Sequence, residues 1–168
     1  RPEAMNALNE TVIAQMEKAF SDAEKAPGAK IIAITGAGKA FVAGADIRFF
    51  IKNIEQKNLD RIFDFTKRGQ ELLKRIENSP KTTVAVMDGL ALGGGVELAL
   101  ACRAIIATSR CTMGFPETGI GIYPGLGGTQ RTPRITGKEL AKYLVFTGKT
   151  LTAKEAHKLG LITFLMKL

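Results

Sequence analysis

Residues 84–100 read VAVMDGLALGGGVELAL and combine a strand pattern, a glycine run and a helix pattern. The β-branched run over 82–86 predicts a buried strand, and the Asp-Gly pair that follows indicates a turn. Three consecutive glycines at 93–95 precede an apolar helix pattern whose first turn carries one acid, Glu97. A strand, a glycine run and a helix start aim free backbone N–H groups at a negatively charged ligand atom. The alternative is that the glycines only permit tight packing and that Glu97 stabilises the helix dipole.

A second glycine-rich stretch follows twenty residues later, and it contains another acid. It reads FPETGIGIYPGLGGTQR over 115–131 and places Glu117 beside glycine turns. Two carboxyl groups next to free backbone donors are candidates for a general acid and a general base. Glu97 and Glu117 are therefore the candidate catalytic residues of this chain.

Nucleophilic and metal chemistry have little support in the sequence. No Ser or Cys stands beside a His, and His157 falls in the charged segment KEAHK, where we expect it to be exposed. This disfavours a catalytic triad. Cys102 and Cys111 are predicted to be small buried residues with reduced thiols, and no His/Cys cluster has the spacing of a metal site.

Strand and helix patterns alternate along the chain. A sequence of 168 residues is about one domain, and alternating strands and helices favour mostly parallel sheets. An apolar run at 31–35 predicts a buried strand. The other predicted strands cover 82–87 and 104–108, and the predicted helices cover 8–20, 59–76, a segment from about 95, 138–146 and 153–159.

Composition describes an ordinary globular protein with a basic excess. The chain is 45% hydrophobic and 24% charged, with a net charge of +8. The positive charge favours polyanionic partners, either nucleic acid or phosphorylated small molecules. Because the basic residues are not interleaved with aromatic residues, nucleic acid is the weaker alternative. Two glycine-containing segments resemble nucleotide-binding loops, but neither matches the sequence fingerprint. Phe41 stands where a dinucleotide-binding loop has its third glycine, and Tyr143 stands where a P-loop has its first. No apolar run approaches the length of a membrane span.

Residues 91–131, together with GKAFVAGADI at 38–47, resemble the crotonase (enoyl-CoA hydratase/isomerase) superfamily. The resemblance runs from RPEAMNALN at the start to LTAKEAHKLGLI near the end. It implies an α/β protein with the ClpP/crotonase-like fold, in which repeated ββα units form a spiral of mostly parallel sheets flanked by helices. We expect residues 1–168 to form a crotonase core domain that lacks the N-terminal hairpin and the C-terminal helical region of full-length members.

The resemblance also implies a reaction and its residues. Enoyl-CoA hydratases add water across the 2,3 double bond of 2-enoyl-CoA thioesters, and Glu97 and Glu117 match their two catalytic glutamates. The backbone N–H groups of Ala45 and Gly94 match the oxyanion hole. The implied substrate-binding residues are Ala43, Gly44, Ala45, Asp46, Ile47, Arg48 and Gly94. The alternatives are a Δ3,Δ2-enoyl-CoA isomerase and, outside enzymes, an RNA-binding relative.

The same resemblance yields the remaining expectations about partners. The substrate is an acyl-CoA thioester, and no metal is expected, nor any cofactor beyond the CoA that the substrate carries. Full-length members form homotrimers or dimers of trimers and are in some cases fused to or associated with a 3-hydroxyacyl-CoA dehydrogenase. We expect a cytoplasmic or mitochondrial-matrix protein with no membrane partner.

Overall fold

A computed structural model of the protein describes residues 1–166, which form eight strands and seven α-helices. The strands are β1 Ile31–Thr35, β2 Ala40–Ala43, β3 Thr82–Met87, β4 Leu90–Leu92, β5 Ala104–Thr108, β6 Thr112–Gly114, β7 Leu151–Thr152 and β8 Phe164–Met166. The helices are α1 Glu10–Lys25, α2 Ile47–Glu55, α3 Leu59–Glu77, α4 Gly94–Ala101, α5 Gly128–Thr136, α6 Lys138–Thr147 and α7 Ala153–Lys158. Two 3-10 helices cover Pro2–Ala4 and Pro116–Ile120.

The strands build two four-stranded sheets. The first sheet has the order β1-β3-β5-β8 and is parallel throughout, and the second has the order β2-β4-β6-β7, with only β7 antiparallel. From β1 to β6, consecutive strands thus belong to different sheets, and each ββ pair moves one position along both sheets; β7 then pairs with β6 and β8 with β5. The helices that follow each pair close the turn. The expected spiral of ββα units with mostly parallel sheets is confirmed.

Several strands were not predicted from the sequence because they are short. Strands β4 and β6 have three residues each and β2 has four, too few for a periodic pattern. Helix α5 was also not predicted, because its sequence GTQRTPRIT is polar and contains Pro133.

The prediction that 31–35 is a buried strand is wrong in its burial. Strand β1 lies at the edge of its sheet, and 61% of Ile31 is exposed.

Helix α4 lies at the centre of the fold, and all of its residues are buried. Its close approach to the second sheet depends on Gly95, because a Cβ atom there would lie 2.0 Å from the carbonyl oxygen of Val42. The packing interpretation of the glycine run therefore holds for Gly95, where the obstructing atom belongs to the main chain. The helix also contacts α3 and α5, so the helix that carries Glu97 is held in place on several sides.

Three ion pairs fix α1 against α3. Each pair joins residues 51 positions apart, and successive pairs are seven residues apart along both helices: Glu10–Arg61, Glu17–Arg68 and Glu24–Arg75. The two helices therefore run parallel in a single register. Within residues 1–166, no helix is both long and apolar enough to cross a membrane.

Candidate active site

The candidate site residues follow the carboxyl ends of three neighbouring strands. Ala45 comes two residues after β2, Gly94 two residues after β4 and Glu117 three residues after β6. These strands are adjacent and parallel in the second sheet. Neighbouring strands are about 4.8 Å apart, so three segments that are distant in sequence meet at one end of the sheet.

Two free backbone N–H groups lie at this meeting point. The parallel bridge to Leu8 uses the carbonyl of Gly44 and the N–H of Asp46, with N···O distances of 2.8 and 2.7 Å, so the N–H of Ala45 points to the other side. Gly94 opens α4, where an N–H has no partner within the helix. Within residues 1–166, neither N–H donates to a protein acceptor. The backbones are close, because a Cβ on Gly94 would lie 3.9 Å from the nitrogen of Ala45.

Glu97 is a buried carboxyl group held by backbone amides. Only 1% of the residue is exposed. Its Oε1 atom accepts hydrogen bonds from the N–H groups of Leu126 at 2.7 Å and Gly128 at 2.6 Å. Burial raises the pKa of Glu97 to about 7, and the nearby charge of Glu117 adds to the rise, whereas the two amides and the charge of Arg131 oppose it. Glu97 can therefore exchange a proton near neutral pH.

The glycine-rich loop that holds Glu97 has no room for side chains at one of its key positions. A Cβ on Gly128 would lie 2.9 Å from the ring of Phe115 and 3.0 Å from Cγ of Glu97. Gly128 also begins α5, so the carboxylate lies at the amino-terminal end of that helix. Sequence analysis did not predict the Leu126 and Gly128 donors. The signal that could have found them is the GLGG segment in front of a helix.

Glu117 provides the second carboxyl group, from the 3-10 helix Pro116–Ile120. Its Oε1 lies 2.5 Å from where a Cβ on Gly93 would stand, and Gly93 has a φ of 46°. Its Oε2 is buried and has no hydrogen-bond partner within the described residues. Burial raises the pKa of Glu117. Burial thus makes both carboxyl groups harder to ionise, and the charge of Glu117 adds to the rise in the pKa of Glu97.

The segment 43–48 divides into a backbone that reaches the site and side chains that do not. Ala43 ends β2, and Gly44 is buried with a φ of 79°. The carboxylate of Asp46 is engaged elsewhere: it caps α2 and forms an ion pair with Arg1 at 2.9 Å. Ile47 is 54% exposed, and the side chain of Arg48 is 82% exposed beside Asp46. The structure thus brings together Ala45, Gly94, Glu97 and Glu117, and it leaves the side chains of 46–48 outside that group.

The thiols and the histidine lie in settings without catalytic character. Burial raises the pKa of Cys102 to about 12 and that of Cys111 to about 11, so neither is a thiolate at neutral pH. His157 is exposed, as predicted, and its Nδ1 lies 2.9 Å from the carbonyl oxygen of Ile162. Among residues 1–166, no group of three His, Cys, Asp or Glu side chains could hold a metal ion.

Comparison with known proteins gives one consistent result. Crotonyl-CoA hydratase of Syntrophomonas wolfei is 42% identical over 163 residues, which make up 96% of this chain and 61% of that protein. Short-chain-enoyl-CoA hydratase of Clostridium acetobutylicum is 40% identical over the same length, with the same coverage. The chain therefore spans about three fifths of the length of these relatives.

Solved structures show the same relationship. The crystal structure of enoyl-CoA hydratase from Bacillus anthracis superposes with a TM-score of 0.91 and 34% identity, covering 99% of this chain and 64% of that one. The enoyl-CoA hydratase of Thermoplasma volcanium superposes with a TM-score of 0.91 and 38% identity, covering 99% and 65%. The fold is the crotonase fold. The sequence model of one family, described as enoyl-CoA hydratase/isomerase, matches residues 1–168. On this match across its whole length, the chain belongs to the enoyl-CoA hydratase/isomerase (crotonase) family.

Proposed function

We propose that the protein adds water across the 2,3 double bond of a 2-enoyl-CoA thioester. The observation that carries this proposal is the meeting of two free N–H groups with two carboxyl groups of raised pKa at one end of a sheet. The donors suit an oxygen atom that gains negative charge, and the carboxyl groups suit a paired transfer of protons. The relatives named as hydratases support the same reaction.

In the proposed reaction, the N–H groups of Ala45 and Gly94 bind the thioester carbonyl oxygen. Attack at C3 moves electrons onto that oxygen, and two donors stabilise the resulting enolate. In well-studied enzymes one such donor contributes about 3 kcal/mol to the stability of the transition state. Because both donors are main-chain groups, one at the start of α4 and one held by the bridge to Leu8, they need little rearrangement as the charge develops.

The two carboxyl groups divide the proton transfers. Glu97, as the carboxylate, accepts a proton from water while the water oxygen bonds to C3. Glu117, as the neutral acid, delivers its proton to C2, and the enolate electrons form the new C–H bond. The products are a 3-hydroxyacyl-CoA, a protonated Glu97 and a Glu117 carboxylate. Proton exchange with solvent restores the starting state, so no cofactor is consumed.

The test is to replace each acid by its amide. We expect Glu97→Gln and Glu117→Gln each to reduce hydration of a short 2-enoyl-CoA to below a few per cent, followed through the loss of ultraviolet absorbance of the conjugated thioester. Glu139→Gln is the matched control, because that side chain is 83% exposed and lies outside the site. Circular dichroism checks that the fold is unchanged. Full activity in either acid variant would contradict the assignment.

Isomerisation of a 3-enoyl-CoA is the second candidate. It is favoured by the unpartnered Oε2 of Glu117, because one mobile carboxyl group beside the oxyanion donors is enough to move a proton between C2 and C4. If this is the reaction, Glu117→Gln abolishes conversion of a 3-enoyl-CoA, and Glu97→Gln retains it. Assaying both variants with both substrates separates the two reactions.

The partners of the whole protein are part of the same proposal. We expect an acyl-CoA thioester as substrate, no metal or further cofactor, and a homotrimer or dimer of trimers, which light scattering after size-exclusion chromatography would identify. A cytoplasmic or mitochondrial-matrix location agrees with two free cysteines. RNA binding is not proposed, because the basic residues are not interleaved with aromatic residues on which bases could stack.

A further inference from the structure

Arg131 is a buried cation that the proposed reaction does not use. It lies in α5, and 8% of the residue is exposed. Its Nη1 donates to the carbonyl oxygen of Leu126 at 2.9 Å, and its Nε and Nη2 donate to Oε2 of Glu77 at 3.0 and 2.8 Å. The side chain therefore joins the end of α3 to the loop that holds Glu97.

The contact between Arg131 and the carbonyl of Leu126 fixes the orientation of the peptide groups in the loop. Three consecutive peptides alternate in direction: the N–H of Leu126 points to Glu97, the carbonyl of Leu126 points to Arg131, and the N–H of Gly128 points to Glu97 again. The middle carbonyl would repel a carboxylate if it turned toward Glu97. The guanidinium of Arg131 gives this carbonyl a charged partner on the opposite side.

The loop is shaped to accept the guanidinium closely. Gly127 has a φ of 107°, and a Cβ at this position would lie 2.3 Å from Nη1 of Arg131. The backbone N–H of Arg131 also donates to the carbonyl of Gly127 at 2.9 Å. Side chain and main chain of the same residue thus fix two successive carbonyl groups of the loop, those of Leu126 and Gly127.

The charged groups around Glu97 come from three elements. Glu117 lies in the 3-10 helix, Arg131 in α5, and Glu77 in α3 neutralises part of the charge of Arg131. Arg134 also pairs with Glu77, at 3.2 Å, but its side chain is 67% exposed and reaches neither the loop nor Glu97. Arg134 is therefore a matched control for the loss of one positive charge from the same carboxylate.

We propose that Arg131 is a positioning residue, which turns the Leu126 carbonyl away from Glu97 and so keeps two amides and one positive charge directed at the catalytic carboxyl group. This inference rests on the proposed function for its kinetic consequence. Its structural part concerns only the protonation and orientation of Glu97. Arg131 itself touches no reacting atom.

Arg131→Met tests the proposal through the catalytic rate and its pH dependence. We expect kcat to fall about a hundredfold, the typical cost of a misplacement near 1 Å, while KM changes less than threefold. Loss of the positive charge favours the neutral form of Glu97, so the acidic limb of the kcat/KM profile moves to higher pH. Arg134→Met should leave both kcat and the limb unchanged. Equal effects of the two substitutions would overturn the proposal.

Glu77→Gln provides a prediction of opposite sign. It removes the negative charge that partly neutralises Arg131, so the positive potential at Glu97 increases and the acidic limb moves to lower pH. A purely structural role would lower stability in both variants and shift neither limb. Should Arg131→Met fail to fold, Arg131→Lys retains the charge but loses the bidentate contact, and we expect a lower kcat with a smaller shift of the limb.

A titration that needs no turnover separates this proposal from the proposed function. Glutamate labelled with ¹³C at the side-chain carboxyl reports the pKa of Glu97 by NMR, and Glu97→Gln assigns the signal. The proposal requires a higher pKa in Arg131→Met and a lower pKa in Glu77→Gln. Unchanged titration in both would overturn it even if the protein hydrates enoyl-CoA. Shifted titration without hydratase activity would uphold it and contradict the proposed function.

Discussion

Replacing Glu97 by Gln should make the protein more stable at alkaline pH than at acidic pH, relative to the wild type. Glu97 is 1% exposed, and burial raises its pKa from 4.5 to about 7. The folded protein therefore holds a proton that the unfolded chain releases between these two values. A glutamine has no proton to release, but its amide oxygen can still accept the hydrogen bonds of Leu126 and Gly128.

The magnitude follows from linkage between protonation and folding. At 1.36 kcal/mol per pKa unit, the rise in pKa corresponds to about 3 kcal/mol. The folded pKa lies above the unfolded pKa, so this stabilisation is fully present below pH 4.5 and is lost as the pH rises through about 7. For a chain of this size, about 3 kcal/mol corresponds to a change in Tm of roughly 6–12 °C.

Urea unfolding of both proteins from pH 4.5 to 8 measures this effect. The quantity of interest is the free energy of unfolding of the variant minus that of the wild type, which should increase by about 3 kcal/mol over this range. Any constant cost of the glutamine side chain cancels from the slope. Acids with lowered pKa, such as Asp46 and Asp88, titrate alike in both proteins and cancel too. A difference that does not change with pH would refute the claim that burial raises the pKa of Glu97.

Two further predictions concern the glycine run. Gly94→Pro removes one proposed oxyanion donor at a helix position that tolerates proline, so kcat should fall about 10²–10³-fold with little change in helix content by circular dichroism. Gly93→Ala places a Cβ 2.5 Å from Oε1 of Glu117, so kcat for hydration should fall by at least about tenfold because the acid is displaced. Gly94→Ala is the control for Gly94→Pro, because it adds a Cβ near Leu8 but keeps the N–H, and it should lose much less activity. Gly28→Ala is the control for Gly93→Ala, because Gly28 also has a positive φ, of 78°, and a Cβ there meets nothing within 4 Å, and it should keep wild-type rates. Equal losses in the controls would indicate general damage to the fold.

Sequence patterns predicted the helices and strands that a run of neighbouring residues is enough to indicate. Helix α3 is long and periodic, and β3 and β5 are β-branched runs bounded by turn residues, so all three were predicted close to their observed bounds. The burial of β1 was mispredicted, because an apolar run does not reveal whether a strand lies at the edge of its sheet. The short β4 and β6 form through pairing with neighbours, and their own residues carry too little periodicity to indicate them.

The candidate site was also predicted only in part, because local sequence marks some of its residues and tertiary packing brings in the others. Glu97 and Glu117 stand beside glycine turns, and the family motifs mark Ala45 and Gly94, so their positions were apparent before the structure. Whether these residues catalyse the reaction stays a prediction. The partners of Glu97 come from residues about thirty positions away in the chain, and a contact of that kind depends on tertiary packing alone. Arg131 was read only as part of a glycine-rich motif, because nothing local shows that an arginine is buried.

The arrangement of the proposed oxyanion donors has a consequence for substrate range. Each donor follows the end of a strand, and the two strands are neighbours, so their separation depends on the main-chain hydrogen bonds of the sheet. We expect core substitutions that repack side chains to leave that separation unchanged. The thioester carbonyl is common to every acyl-CoA. It would bind to two N–H groups whose spacing is hard to change by substitution. Under the proposed function, we expect adaptation to acyl groups of different length to occur through side chains elsewhere, with the carbonyl-binding geometry held constant.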